Sequence, residues 1–188
     1  MVGSSVNMQT YARTAYFSWD LEILLLTILF GVLAASAITD FKWKRIPNAF
    51  TLPAMAVSML IHGLNSGISG FIFSIEGLFL GMALLIIFYI MGMMGAGDVK
   101  LMGAVGSILG PAGVFKAFLF TAIVGGIYAL VVLAFNGQLI DFMKRIARSM
   151  KLSLLTRGPT LVPHEGKATP VLCYGVAIAL GTSLSTVF

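Results

Sequence analysis

The chain has 188 residues, 59% hydrophobic and only 10% charged, with a mean hydropathy of +0.99. That excludes an ordinary water-soluble domain, in which about a quarter of residues are charged. The net charge of +5 does not point to nucleic acid, because the basic residues fall in short stretches between apolar runs, the pattern of membrane proteins that keep positive loops inside. Several spans of about 20 residues fit in this length, with little left for a separate soluble domain.

Residues 1–18 are mixed and polar, and Tyr11, Tyr16, Phe17 and Trp19 gather before the first apolar run as an interfacial aromatic belt would. The run from Leu21 to Thr39 is the first span. Ala35-Ser36-Ala37 looks like a cleavage triplet, but Arg13 is offset by Asp20 and Glu22, whereas a secretory signal needs a positive start. A retained span with an external amino terminus is expected. The stretch Asp40 to Asn48 carries Lys42, Lys44 and Arg45 and reads as cytoplasmic.

Apolar character resumes from Phe50 to His62, and 63–70 reads as an external turn. Phe71 to Met91 returns inward, with Gly77 and Gly81 offering a small-residue packing face. Gly92 to Lys100 interrupts the pattern. A short fourth span, Leu101 to Leu109, ends at Gly110-Pro111, a fifth runs from Lys116 to about Phe135, and a last from about Pro170 to Phe188. With this topology 10 of the 12 basic residues lie inside. Within 139–154, Leu139, Phe142, Met143, Ile146, Met150 and Leu154 share an arc of about 120°, opposite Lys144, Arg145, Arg148 and Lys151, as in a helix lying on an anionic leaflet; a plain topology signal explains the same charges. The expected fold is all-α, a polytopic membrane bundle of about six transmembrane helices with both termini external. It comprises an external segment at 1–20 and a membrane-embedded body at 21–188 with a basic cytoplasmic loop at about 136–169.

Ionisable groups in a membrane are costly and face protein or a wet cavity, which singles out Asp40 and Asp98. Asp40 ends the first span, where the helix dipole disfavours an anion; Asp98 follows Gly95-Ala96-Gly97, where free backbone N–H groups favour one. Asp98 therefore also reads as a simple helix cap, and Asp40 as a surface charge balancing its basic neighbours. Antiparallel connectivity returns both to the same face at similar depth, so the carboxyls can meet and share a proton, one acting as acid and one as base. Helix ends favour Asp98 as the base; Lys42, Lys44 and Arg45 pull the other way, and coupled groups titrate as a pair. Gly95 and Gly97 allow another chain to approach closely, and Pro47 and Asn48 start the next helix sharply. Lys100 either tunes Asp98 or anchors at lipid phosphate. The single Cys173 reads as a small buried hydrophobe. His62 and His164 are too far apart for a local metal motif, so no metal and no cofactor are expected.

Asp40 followed by basic residues and Ile46-Pro47-Asn48, the run Gly95-Ala96-Gly97-Asp98-Val99-Lys100-Leu101-Met102, and Tyr174-Gly175-Val176-Ala177 through Gly181, in that order, resemble the type IV prepilin peptidases, the GxGD class of membrane aspartic proteases. The resemblance implies that Asp40 and Asp98 are the catalytic pair. It implies removal of a short basic leader from prepilins at the cytoplasmic face of the bacterial inner membrane, with the pilus assembly machinery as a further partner. Larger members add a cysteine-motif domain and methylate the new amino terminus. This chain is similar to the short branch of Flp or Tad pili, which implies cleavage without methylation; where that branch has proline before Tyr-Gly, this sequence has Cys173. Two other classes compete. A small ion-coupled transporter requires a polar path across the bilayer, for which Glu76 is the one mid-chain candidate towards the outside. A non-catalytic scaffold of a secretion machine requires neither aspartate.

Overall fold

The computed structural model describes residues 8–135, 137 and 173–188, with side chains from Leu21 onward in the first helix. The amphipathic stretch at 139–154 and the basic loop at 136–169 lie outside the described residues, apart from Gly137. The described residues form four helices: α1 (Met8–Trp43), α2 (Asn48–Ile90), α3 (Ala96–Phe135) and α4 (Tyr174–Val187). Helix α1 begins well before the apolar run at Leu21 and continues past Asp40, which sits inside its last turn. Segments Leu21–Trp43, Asn48–Ile90 and Ala96–Phe135 are long and apolar enough to cross a bilayer.

Helices α2 and α3 are not straight rods, because each contains one glycine with left-handed backbone: Gly67 at φ 63° and Gly110 at φ 71°. This region is open to glycine and strained for most other residues. At both points the chain folds back. Gly70 touches the carbonyl of His62, and Gly81 lies against both the Met102 carbonyl and Val114. In a straight helix residues 62 and 70 would stand about 12 Å apart and residues 102 and 114 about 18 Å. The result is two helical hairpins, 48–66 with 68–90 and 96–109 with 111–135. The turn expected across 63–70 shrinks to Gly67, and the turn expected at Gly110-Pro111 is found there.

The hairpins interlock through backbone contact. Gly77 lies directly against Gly106, with each position's missing Cβ leaving room for the other's carbonyl oxygen. With no hydrophobic force between helices in lipid, close approach and dispersion hold such pairs together. Segment 96–109 occupies the centre: residues 101–108 are buried without interruption, as expected of a helix that is apolar all round. At 14 residues it spans about 21 Å, short for a lipid-facing crossing but adequate for one enclosed by protein. Leu25, Leu29 and Leu33 of α1, Leu85 of α2 and Ile178 of α4 close the core around Leu101, Met102 and Val105. Ile23, Phe30, Ile38, Leu60, Ile87, Ile123 and Ile127 point outward and remain exposed, the surface a hydrocarbon solvent would cover.

The inner helix also needs its last carbonyls satisfied, since no water is available in a bilayer core. Residue 111 is proline and cannot donate the N–H that the Ser107 carbonyl would accept in a continuing helix. Ser58 and Ser74, one from each arm of the α2 hairpin, donate their hydroxyls to that carbonyl at 2.6 and 2.7 Å. Nε2 of His62 is 3.1 Å from the next carbonyl, Ile108. Replacing both serines by alanine strands a buried carbonyl and is expected to cost about 1–3 kcal/mol, read as a lower midpoint of thermal unfolding in detergent; either single change, leaving one donor, is expected to cost less.

Candidate active site

One end of the bundle gathers the last turn of α1, the 44–47 link, the 91–95 loop and the start of α4. The Gly95 to Asp98 segment forms its own cap. The Asp98 N–H donates to the Gly95 carbonyl at 3.1 Å, and the Gly95 N–H donates back to Oδ2 of Asp98 at 3.0 Å. Asp98, at the third helical position, supplies the carboxylate half of a capping box, and the Gly95 carbonyl stands in for the capping side chain. The capping role expected of Asp98 is therefore real, yet it engages only one oxygen, and Oδ1 makes no hydrogen bond among the described residues. Asp98 is 8% exposed.

Asp40, 7% exposed, is held from a different element. Its Oδ2 accepts the N–H of Gly175 at 2.9 Å, a first-turn donor of α4 that has no partner within its own helix. The sequence places Asp40 unfavourably at the negative end of α1. The fold offsets this by seating the carboxyl on the positive end of α4, so both aspartates rest on helix N-termini. Asp40 is close enough for its charge to act on Asp98.

Ile46 ties the two halves together. A Cβ at Gly97 would lie 3.0 Å from Ile46 Cβ, and a Cβ at Gly175 would lie 3.0 Å from Ile46 Cδ1 and from both Cβ and Oδ2 of Asp40. One side chain thus packs against the glycine beside each carboxylate. Gly175→Ala is expected to push Asp40 away from its N–H donor while leaving the bundle intact. Any peptide cleavage that depends on this carboxyl is expected to fall at least about 10-fold, with an unfolding midpoint close to that of the unaltered chain.

The remaining expected site residues lie on the same end. Pro47, with φ −66° and ψ 137°, precedes α2 and Asn48 opens it. Oδ1 of Asn48 accepts a 3.0 Å hydrogen bond from Nζ of Lys100, so Lys100 links the start of α3 to the start of α2. Gly95 supplies a backbone donor and Gly97 the close approach to Ile46. Sequence reasoning did not single out Gly175 or Ile46 as site-forming, although both stand within the quoted motifs.

Residues 27–130 match the sequence model of the type IV leader peptidase family. The chain is 33% identical over 116 residues to the prepilin leader peptidase/N-methyltransferase of Bacillus subtilis (strain 168), an alignment covering 60% of this chain and 46% of that protein. The chain thus spans about half the length of the curated relative it matches. No solved structure matches. The matched region contains both aspartates, the capped glycine loop, the first hairpin and most of the second, and the chain belongs to the type IV leader peptidase family, as a helical membrane protein.

Proposed function

We propose that this chain is an aspartic endopeptidase that removes the leader peptide of prepilins, with Asp40 and Asp98 as its catalytic pair. The observation that carries the reading is the paired setting of the two carboxyls: both buried at one end of the bundle, each anchored through Oδ2 by one backbone N–H, each with its other oxygen uncommitted among the described residues. Two such groups sharing one proton do the work of peptide hydrolysis. The ionised carboxylate takes a proton from water as it attacks the scissile carbonyl. The protonated partner hydrogen-bonds the carbonyl oxygen, and a proton then passes to the leaving amine.

The substrate is a prepilin of the Flp type, with a short basic leader cut at the cytoplasmic face of the inner membrane and no methylation by this chain. Six crossings with both termini external place the 44–47 link and the 91–95 loop on that face. Support comes from the two backbone reversals, at Gly67 and Gly110, and from the basic residues Lys42, Lys44, Arg45 and Lys100 around the site. Gly95 leaves the backbone of the 91–95 loop open to an extended leader, Gly97 seats Ile46 behind it, and Pro47, Asn48 and Lys100 frame its other side. The test is to co-express the chain with a Flp-type prepilin and follow leader removal by mass spectrometry. Release of the leader is the expected result. Failure with several prepilins, from a chain inserted in the membrane, would refute the peptidase reading.

A further inference from the structure

Cys173 stands directly before α4 and is 2% exposed. Its Sγ lies 2.7 Å from Nζ of Lys44, 129 residues away in sequence. Lys44 follows α1 in left-handed backbone, φ 53°, a conformation seldom taken by a residue of this type. Its stem is exposed while its amine turns back onto the sulfur. The contact is shorter than an ordinary N–H···O bond of about 2.9 Å, although sulfur is the larger atom. A single oxygen bonded to both atoms would hold them at about this separation.

We propose that Lys44 and Cys173 form an oxidation-sensitive covalent link, Nζ–O–Sγ, that ties the end of α1 to the start of α4. Peroxide is the oxidant. One equivalent converts the thiol to sulfenic acid and releases water. A second hydroxylates the neutral amine, again releasing water. Condensation of the hydroxylamine with the sulfenic acid forms the N–O–S bridge and expels a third water. In sum, amine, thiol and two peroxides give the bridge and three waters. Four thiol equivalents reverse it, returning amine, thiol and water as they become two disulfides.

The position gives the link a consequence. Lys44 is four residues after Asp40, whose carbonyl accepts the Lys44 N–H at 2.9 Å, and Cys173 is two residues before Gly175, which donates to the Asp40 carboxyl. The bridge closes a small ring through Asp40 and fixes that carboxyl on α4. On the peptidase reading above, it is a redox control over the catalytic pair; the bridge itself stands independently of that reading.

The experiment uses the full chain in detergent, treated with hydrogen peroxide or with dithiothreitol, then digested and analysed by tandem mass spectrometry. The expected product is one species joining the Lys44 and Cys173 fragments, about 14 Da heavier than their reduced sum. It should appear with peroxide, disappear with dithiothreitol, and be absent from Lys44→Arg and Cys173→Ser. Lys44→Arg retains the cation, so its failure to link isolates the amine chemistry from any loss of folding. Recovery of the Cys173 fragment from the peroxide-treated chain solely unlinked, whether free, as trapped sulfenic acid or more highly oxidised, would overturn the proposal. No substrate is involved, so this outcome is separate from failure of the cleavage assay.

Discussion

Asp40→Asn and Asp98→Asn are each expected to lower leader removal by about 100-fold or more, the usual scale for loss of a positioned acid or base. Asparagine keeps the size of the side chain and an oxygen able to accept from Gly175 or Gly95, so the two N–H anchors survive. What is lost is the ability to take up and release a proton. The double variant is expected to be no worse than the poorer single one, because two groups that share a proton act as a unit. Mass spectrometry of co-expressed prepilin checks this, with membrane insertion of each variant measured alongside. If both single variants processed the pilin at the normal rate, the two carboxyls would be cap and surface charge, and the scaffold reading would take their place.

The reason the aspartates stand out in the sequence is energetic. In a chain this apolar, an ionisable residue at the end of a span needs an explanation, and Asp40 and Asp98 offer themselves before any geometry is known. The helical regions are legible for a related reason, since hydropathy and the Gly-Pro punctuation mark where the chain can turn. What the sequence does not carry is how the ends meet. Seen within α1 alone, Asp40 is poorly placed for an anion; its stabilising partner belongs to a helix 135 residues further on. Ile46 looks like a residue of a short link, and its contacts with both site glycines exist only once α3 and α4 have docked. The serine donors to Ser107 had one readable cue: a proline at 111 always orphans the carbonyl four residues earlier, and in lipid that carbonyl must find a donor. Which serines answer it depends on the pairing of the hairpins, and hydropathy is blind to that.

That pairing is where a single methyl group should do the most structural damage. Gly77→Ala or Gly106→Ala would each set a Cβ into the carbonyl group of the opposite segment, and a backbone carbonyl has no rotamer by which to yield. The arms of the two hairpins would have to separate. Segment 96–109 lies between them with residues 101–108 fully packed, so separation would also loosen the serine donors and the base of Asp98. Overpacking of a fitted core costs about 1–3 kcal/mol, and displacement of backbone at a central interface should fall at or beyond the upper end of that range. The control is Gly31→Ala on α1, where nothing lies within 4 Å of the added Cβ; there the better helix propensity of alanine is expected to leave stability unchanged or raise it by up to about 1 kcal/mol. Thermal unfolding of the three variants in one detergent gives the comparison. A midpoint for Gly106→Ala equal to that for Gly31→Ala would mean that the hairpins do not meet at Gly77 and Gly106, and the central position of the helix that carries Asp98 would fall with that contact.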